Sequence, residues 1–204
     1  MFDLDKNYIE TLERFLDKKL TFHYLENGIE FIYDTEIQYI LLEQSSTSYV
    51  FQTIEKGIIV REIEYKSALE MKRKLTLNLK GLFGEKIDYT KSELFEEIDR
   101  NDINHLEVLM NELIGSEFYS INNPEIWKIN LEATEQINVY NIYILLSDNS
   151  KIFIEENFND IFTFPRFYNE ALFLKENMER INMYQELFED KLVENEIDEL
   201  LQYQ

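Results

Sequence analysis

The residues best suited to chemistry are two histidines and several neighbouring carboxylates. His23 lies where the first predicted helix ends, and His105 lies in the first turn of another helix, so each occupies its own segment. The chain has no cysteine, which excludes a thiolate nucleophile and a cysteine-ligated zinc site. Neither a Gly-x-Ser-x-Gly elbow nor a glycine-rich phosphate loop is present. We therefore interpret both histidines as structural and expect no catalytic residue and no enzyme activity.

Paired carboxylates occur at five places: Glu62/Glu64, Glu96/Glu97, Glu155/Glu156, Glu189/Asp190 and Asp198/Glu199. A glycoside hydrolase needs two carboxyl groups on opposite sides of a cleft, one of them with a raised pKa. Among 41 acidic residues, however, such neighbours arise by chance. The segment 148–151 lacks the spaced oxygen ligands of a calcium loop and is typical of a hairpin turn. We expect no metal and no cofactor, and a hydrolase with paired carboxylates remains an alternative.

Acidic residues outnumber basic ones throughout the chain, and the excess is concentrated in its second half. The formal net charge is −21. Residues 101–204 contain 21 acidic and 6 basic side chains. Repulsion on this scale opposes compaction, so the excess favours a function in binding a cationic partner. With 13 Tyr and 15 Phe, the chain is too aromatic for a disordered acidic tail.

A cluster of basic residues interrupts this pattern within one predicted helix. Its members are Lys66, Lys72, Arg73, Lys74 and Lys80. Binding of phosphate by this cluster would be opposed by the charge of the whole chain. We interpret these side chains as partners of Glu62, Glu70 and the acidic second half, and we expect no nucleic-acid binding.

The hydrophobic periodicity predicts an α+β fold in which the same order of elements occurs twice. Helices are predicted at 7–20, 64–83, 103–114 and 166–192, and strands at 29–33, 37–42, 49–54, 58–63, 117–121, 126–131, 136–146 and 151–155. Each half reads as a helix, antiparallel strands and a long helix. The prediction is two similar subdomains, 1–90 and 91–204, with a boundary within 84–101. An arrangement in which both share one sheet is left open.

The second half contains two segments that combine acidic and large apolar residues. The first is the loop-like stretch 155–164, with Glu155, Glu156, Phe158, Asp160 and Phe162; the second is the acidic tail, with Glu194, Glu196, Asp198 and Glu199. Aromatic anchors ringed by charge are typical of protein-binding surfaces. We predict these nine residues as the partner-binding site. The alternatives are a buried strand-to-helix connection for the first segment and a frayed terminus for the second.

Two stretches of the first half resemble a known family. Residues 49–58 (YVFQTIEKGI) and 79–84 (LKGLFG) fit the pattern of strand, charged-Gly turn, strand and helix ending in Phe-Gly. This pattern is similar to that of bacterial polymorphic-toxin immunity proteins, in particular those that neutralise NAD glycohydrolases of the tuberculosis-necrotizing-toxin type. The resemblance implies a cytosolic protein that covers the active site of a toxin.

The sequence therefore predicts a cytoplasmic bacterial immunity protein that occludes its cognate toxin, acting as a monomer or in a 1:1 complex. The start of the chain lacks the features of a signal peptide, and no apolar run has the length of a membrane span. A DNA-mimic inhibitor encoded by a phage or mobile element is the second alternative, since it would use the same acidity against a nucleic-acid enzyme.

Overall fold

The computed structural model of the chain describes residues 4–32, 36–83, 102–159 and 161–202. The chain forms two compact units. Unit 1 comprises Met1–Lys86 and Arg180–Asp190, and unit 2 comprises Ile87–Glu179 and Lys191–Gln204. The boundary predicted between residues 90 and 91 lies outside the described residues.

An antiparallel sheet of five strands forms the centre of unit 1. The strands are β1 (Thr21–Tyr24), β2 (Gly28–Ile32), β3 (Ile37–Ser45), β4 (Ser48–Glu55) and β5 (Ile58–Tyr65), and they are adjacent in that order. Each strand pairs antiparallel with its neighbour in the sequence. Strand β5 therefore lies at one edge of the sheet.

Two helices complete the first part of unit 1, α1 (Lys6–Leu16) and α2 (Ala68–Phe83). Helix α1 is capped by the Asp5 carboxylate, which accepts a hydrogen bond from the Asn7 backbone N–H at 2.9 Å. It ends earlier than predicted because Asp17 adopts a left-handed conformation. Helix α2 starts later than predicted, since β5 continues to Tyr65 before the chain turns.

The core of unit 1 lies between these helices and one face of the sheet. Its largest buried members come from α1, α2 and the central strands: Tyr8, Leu12, Phe15, Ile29, Phe31, Leu41, Phe51, Leu75 and Leu79. The segment Arg180–Asp190 adds Tyr184 and Phe188, whose rings stack at 4.8 Å between centroids. The Phe15 ring contacts both at 6.5 and 6.3 Å. This segment therefore belongs to the unit 1 core because of its aromatic side chains.

Unit 2 contains a second sheet of four strands, with β6 (Tyr119–Ile121), β7 (Ile129–Ala133), β8 (Tyr140–Leu145) and β9 (Lys151–Phe158) in sequence order. The described strands thus form two sheets, and the arrangement with one shared sheet is wrong. The prediction of purely antiparallel strands is also wrong, because β6 and β7 are parallel.

The parallel pairing is possible because β6 is very short and the buried amide of Asn130 holds the loop between β6 and β7 in a folded-back conformation. Asn130 is 1% exposed. Its Oδ1 accepts a hydrogen bond from the Glu125 backbone N–H at 2.8 Å, and its Nδ2 donates to the Glu125 and Lys128 carbonyls at 3.1 and 2.8 Å. The loop 122–128 is thereby folded back along a strand of only three residues.

Among the described residues, three helices belong wholly or partly to unit 2: α3 (Ile103–Leu113), α4 (Thr163–Phe188) and α5 (Glu194–Gln202). One core joins α3 and the unit 2 part of α4 to the sheet, with Leu106, Met110, Leu131, Ile142, Ile144, Phe164, Phe167, Ala171 and Leu174 among its members. The α+β class is confirmed.

Candidate functional site

The first predicted segment lies at one end of the unit 2 sheet. Tyr140, the first residue of β8, is opposite Phe158, the last residue of β9. The β7–β8 turn, closed by a 2.9 Å hydrogen bond from the Thr134 N–H to the Val139 carbonyl, therefore lies at the same end as the β9–α4 link. The Tyr140 and Phe164 rings, 5.5 Å apart, place the start of α4 there as well.

Three large apolar side chains are exposed at this end of the sheet. Ile137 is 88% exposed, Ile161 50% and Phe162 58%. Phe158 beside them is half-buried. The exposed carboxylates of Glu135 and Glu156 flank these residues in sequence. We call Glu135, Ile137, Glu156, Phe158, Ile161 and Phe162 the sheet-end surface. Several exposed large apolar side chains accompanied by charged ones are typical of an interaction site.

The predicted residues of this segment divide into different roles. Phe162 and Glu156 are exposed, whereas Phe164 is buried and belongs to the core. Asp160 lies outside the described residues. The interpretation as a buried strand-to-helix connection therefore applies to Phe164, and partner binding by the exposed residues stays a prediction.

Glu155 takes part in an internal charge cluster rather than facing solvent alone. The Arg166 guanidinium lies 3.8 Å from the Glu155 carboxylate and 3.1 Å from that of Glu170. Burial raises the pKa of Glu170 above its ordinary value; the nearby Arg166 opposes the shift and Glu155 adds to it. Arg166 thus joins the end of β9 to the first turns of α4.

Sequence reasoning missed Ile137, because residues 136–146 read as one continuous strand. In the structure, β8 begins only at Tyr140, and Asn138 in the preceding turn has a φ of 60°. Asparagine accepts this left-handed conformation more readily than most residues. The signal was therefore the polar pair Gln136 and Asn138 around a lone isoleucine, which is typical of a turn with an exposed apolar tip.

The second predicted segment forms helix α5, and its acidic residues differ in their surroundings. Glu194 and Glu199 are exposed. The Glu196 carboxylate accepts a hydrogen bond from the Val193 N–H at 2.9 Å, at the start of the helix. Glu194 and Glu196 both lie in the first helical turn, where acidic side chains interact favourably with the helix dipole. The acidity of the tail therefore has a local explanation at its N-terminal end.

Asp198 is buried, with only 7% of its surface exposed. Its Oδ1 accepts a hydrogen bond from Trp127 Nε1 at 2.7 Å and from the Ser147 backbone N–H at 3.2 Å. The Ser147 hydroxyl donates to Oδ2. Ile197 and Leu200 are buried on either side in the sequence. Asp198 thus anchors α5 within unit 2, and its carboxylate is not on the surface.

The basic cluster of the first half is used inside unit 1. Arg73 donates two hydrogen bonds to the Asp190 carboxylate, at 2.6 and 2.7 Å, and Lys74 lies 2.9 Å from Glu70. Lys80 donates to the Phe15 carbonyl at the end of α1, at 2.7 Å. Internal pairing is therefore confirmed for Arg73 and Lys74, including the predicted link to an acid of the second half.

The two histidines have ordinary local partners. His23 lies in β1, opposite Glu30 on β2, with its Nδ1 3.2 Å from the Glu30 carboxylate. The His105 backbone N–H donates to the capping carboxylate of Asp102 at 3.1 Å, at the start of α3. His105 thus lies in a first helical turn as predicted, whereas His23 belongs to a strand that the sequence analysis missed.

Within the described ranges, no group of three or more His, Asp or Glu side chains is arranged to hold a metal ion. Among the described helices, none combines the length and the apolar character needed to cross a membrane. Comparisons with protein-family models, curated proteins and solved structures find no match to this chain.

Proposed function

We propose that this protein is a cytoplasmic bacterial immunity protein that binds a cognate toxin and occludes its active site. The observation that carries the proposal is the sheet-end surface, where Ile137, Ile161 and Phe162 are exposed beside Glu135 and Glu156. Burial of these apolar groups against a partner is favourable by about 25 cal/mol per Å² of apolar area removed from water. The acidic rim would select a partner with a basic cleft.

The charge of the second half supports a toxin whose cleft accommodates an anionic substrate. Such a cleft, whether it takes NAD or nucleic acid, needs a positive potential, and an acidic protein surface complements it. The resemblance of residues 49–58 and 79–84 to immunity proteins of NAD-hydrolysing toxins favours NAD over nucleic acid. In this proposal the protein supplies no catalytic group and acts by covering the cleft.

We assign only part of the predicted site to the partner. The proposed contact residues are those of the sheet-end surface. Asp198 is left out because Trp127 and Ser147 occupy its carboxylate. Glu155 is assigned to positioning, since Arg166 binds it to the frame of unit 2.

The test is rescue of bacterial growth. The chain is coexpressed with toxins of the NAD-hydrolysing and nuclease classes, beginning with any toxin gene adjacent to its own. We expect protection against one toxin, and loss of protection when Glu156→Lys is combined with Phe162→Ala. The control with the same change of charge is Glu199→Lys at an exposed position of α5, which we expect to protect like the parent. Protection that is unchanged in the first variant and lost in the control would place the interface on α5 instead.

A further inference from the structure

Strand β5 has an exposed outer edge with an unusual run of apolar residues. It is the last strand in its sheet, so among the described residues only β4 pairs with it. Ile58, Ile59 and Val60 are consecutive and are 68%, 50% and 57% exposed. An exposed edge with β-branched side chains is a template for another strand, and proteins usually protect such edges.

A β-bulge, which is one way that proteins protect an exposed edge, divides the strand into two parts. Thr53 of β4 is opposite Arg61 and Ile54 is opposite Ile59, so Val60 is the extra residue of a bulge. Regular pairing by the outer edge is thereby confined to residues 61–65. The residues 58–60 remain as an apolar surface at the end of that pairing segment.

The charges of the pairing segment are separated between the two faces of the sheet. Tyr65 is fully buried and Ile63 is half-buried, so these two residues and, by alternation, Arg61 lie on the core face. Glu62 and Glu64 lie on the other face, and both are exposed. An incoming strand therefore meets two carboxylates on one face and mainly apolar groups on the other.

This separation disfavours a second copy of the chain as the occupant. When the β5 edges of two copies pair antiparallel, each side chain lies opposite a side chain of the second copy on the same face of the joined sheet. Glu62 then lies opposite Glu62 or Glu64 of the other copy, and Arg61 never meets either acid. Like charges directly opposite each other are destabilising. The complementary occupant instead has basic residues at alternating positions.

We propose that the outer edge of β5 binds a β-strand of another protein by strand addition, with alternating Lys or Arg residues facing Glu62 and Glu64. Backbone hydrogen bonds supply affinity in this mode, and side chains at every second position supply selectivity. Apolar residues of the incoming strand that extend beyond the paired segment would cover Ile58, Ile59 and Val60. This surface belongs to unit 1 and does not depend on the sheet-end surface of unit 2.

The experiment uses the full chain and a peptide probe, acetyl-VKVKVKV-amide. Hydrogen exchange followed by mass spectrometry is measured with and without the peptide. We expect slower exchange of the amides within 58–65. A control peptide, acetyl-VKPKPKV-amide, has the same charge but cannot pair as a strand because proline lacks the N–H donor. We expect it to bind at least about tenfold more weakly, a difference of about 1.4 kcal/mol.

Matched variants separate strand addition from general attraction of a cation to an acidic protein. Glu62→Lys with Glu64→Lys should weaken binding of the first peptide at least about tenfold, as for the control peptide. Glu107→Lys with Glu112→Lys makes the same charge change at exposed positions of α3 and should change affinity by less than about threefold. Where the first variant has a lower melting temperature, Glu62→Gln with Glu64→Gln replaces it.

Three results would overturn the proposal. The first is equal binding of the two peptides. The second is slower exchange only at amides outside residues 58–65. The third is an equal loss of affinity in the Glu62/Glu64 and Glu107/Glu112 charge-reversed variants. None of them bears on toxin neutralisation, because the peptide assay reports only on β5.

Discussion

Single residues account for the difference between the acidic tail of the sequence and the helix that it forms. Several acids in a short segment suggest repulsion that only an outside partner relieves. Asp198 shows an internal solution, in which donors from Trp127 and Ser147 surround the carboxylate. These donors lie far from Asp198 in the chain, so the sequence pattern around residue 198 contained no sign of them.

Asp198→Ala should destabilise unit 2. The substitution leaves the Trp127 indole N–H and the Ser147 groups without their acceptor, at an expected cost of about 2–4 kcal/mol. Trp127 is the only tryptophan in the chain, so its fluorescence during urea unfolding reports on this site directly. The control is Glu199→Gln, the exposed neighbour, with an expected change below about 0.5 kcal/mol. Equal stability of the two variants would contradict the anchoring role of Asp198.

Asp190 should make unit 1 sensitive to acid. The hydrogen bonds from Arg73 hold the pKa of its carboxyl below the ordinary value, and the Tyr184 hydroxyl, 2.8 Å away, adds to this. Because the folded-state pKa is lowered, the stabilisation is complete above the unfolded-state pKa of about 3.9 and is lost as pH falls through the folded-state value. The difference in unfolding free energy between the parent and Asp190→Asn should therefore be constant from pH 7 to about 5 and shrink below about 4. Urea unfolding at several pH values measures it, and a difference that stays constant down to pH 3 would argue against this ion pair as the cause.

At the scale of elements, the sequence predicted what local patterns determine and missed what distant contacts determine. The alternating β-branched and aromatic residues of β3 and β4 identified a hairpin, and the apolar spacing of α1 identified a helix. Strand β1 was missed because Thr21–Tyr24 has only 4 residues, too few for its alternation to stand out, and is largely exposed. The parallel pairing of β6 with β7 was missed because it depends on the buried Asn130.

Within the candidate site, Glu156 and Phe162 were predicted from composition, and the structure shows both side chains exposed. It also assigned to the surface an acid, Asp198, whose neutral partners come from two other loops. The exposure of each of these side chains depends on the end of the sheet at which its loop lies. Residue type and charge do not predict that position. Ile137 was missed for this reason.

Two glycines in different elements should respond to alanine in opposite directions. A Cβ at Gly28 in β2 would lie 2.2 Å from the Leu41 carbonyl oxygen, so Gly28→Ala must displace backbone; we expect a loss of about 2–4 kcal/mol. A Cβ at Gly81 in α2 has no neighbour within 4 Å, and alanine is the better helix former. Gly81→Ala should therefore stabilise by up to about 1 kcal/mol. Thermal unfolding of both variants checks the pair, and a destabilised Gly81→Ala would contradict the helical assignment at that position.

At the scale of the whole molecule, net charge should govern how fast a partner associates. The electrostatic screening length falls from about 10 Å at 0.1 M salt to about 3 Å at 1 M. The −21 charge is therefore felt at long range only at low salt. We expect the association rate with the proposed partner to fall at least about tenfold over this range. Stopped-flow binding measures this, and an association rate independent of salt would contradict an electrostatic contribution to recognition.

Helix α4 has a consequence for the order in which the protein is made. Its residues from Arg180 onward, with the following residues to Asp190, belong to unit 1, whereas its earlier residues belong to unit 2. Domains usually fold as they leave the ribosome, the N-terminal one first. Here the first unit cannot complete its core until Tyr184 and Phe188 have been synthesised, after the entire sheet of the second unit. During translation, the unit 1 core around Phe15 therefore stays uncovered until these residues are made. A ribosome stalled before residue 180 would leave that apolar surface accessible to chaperones and proteases.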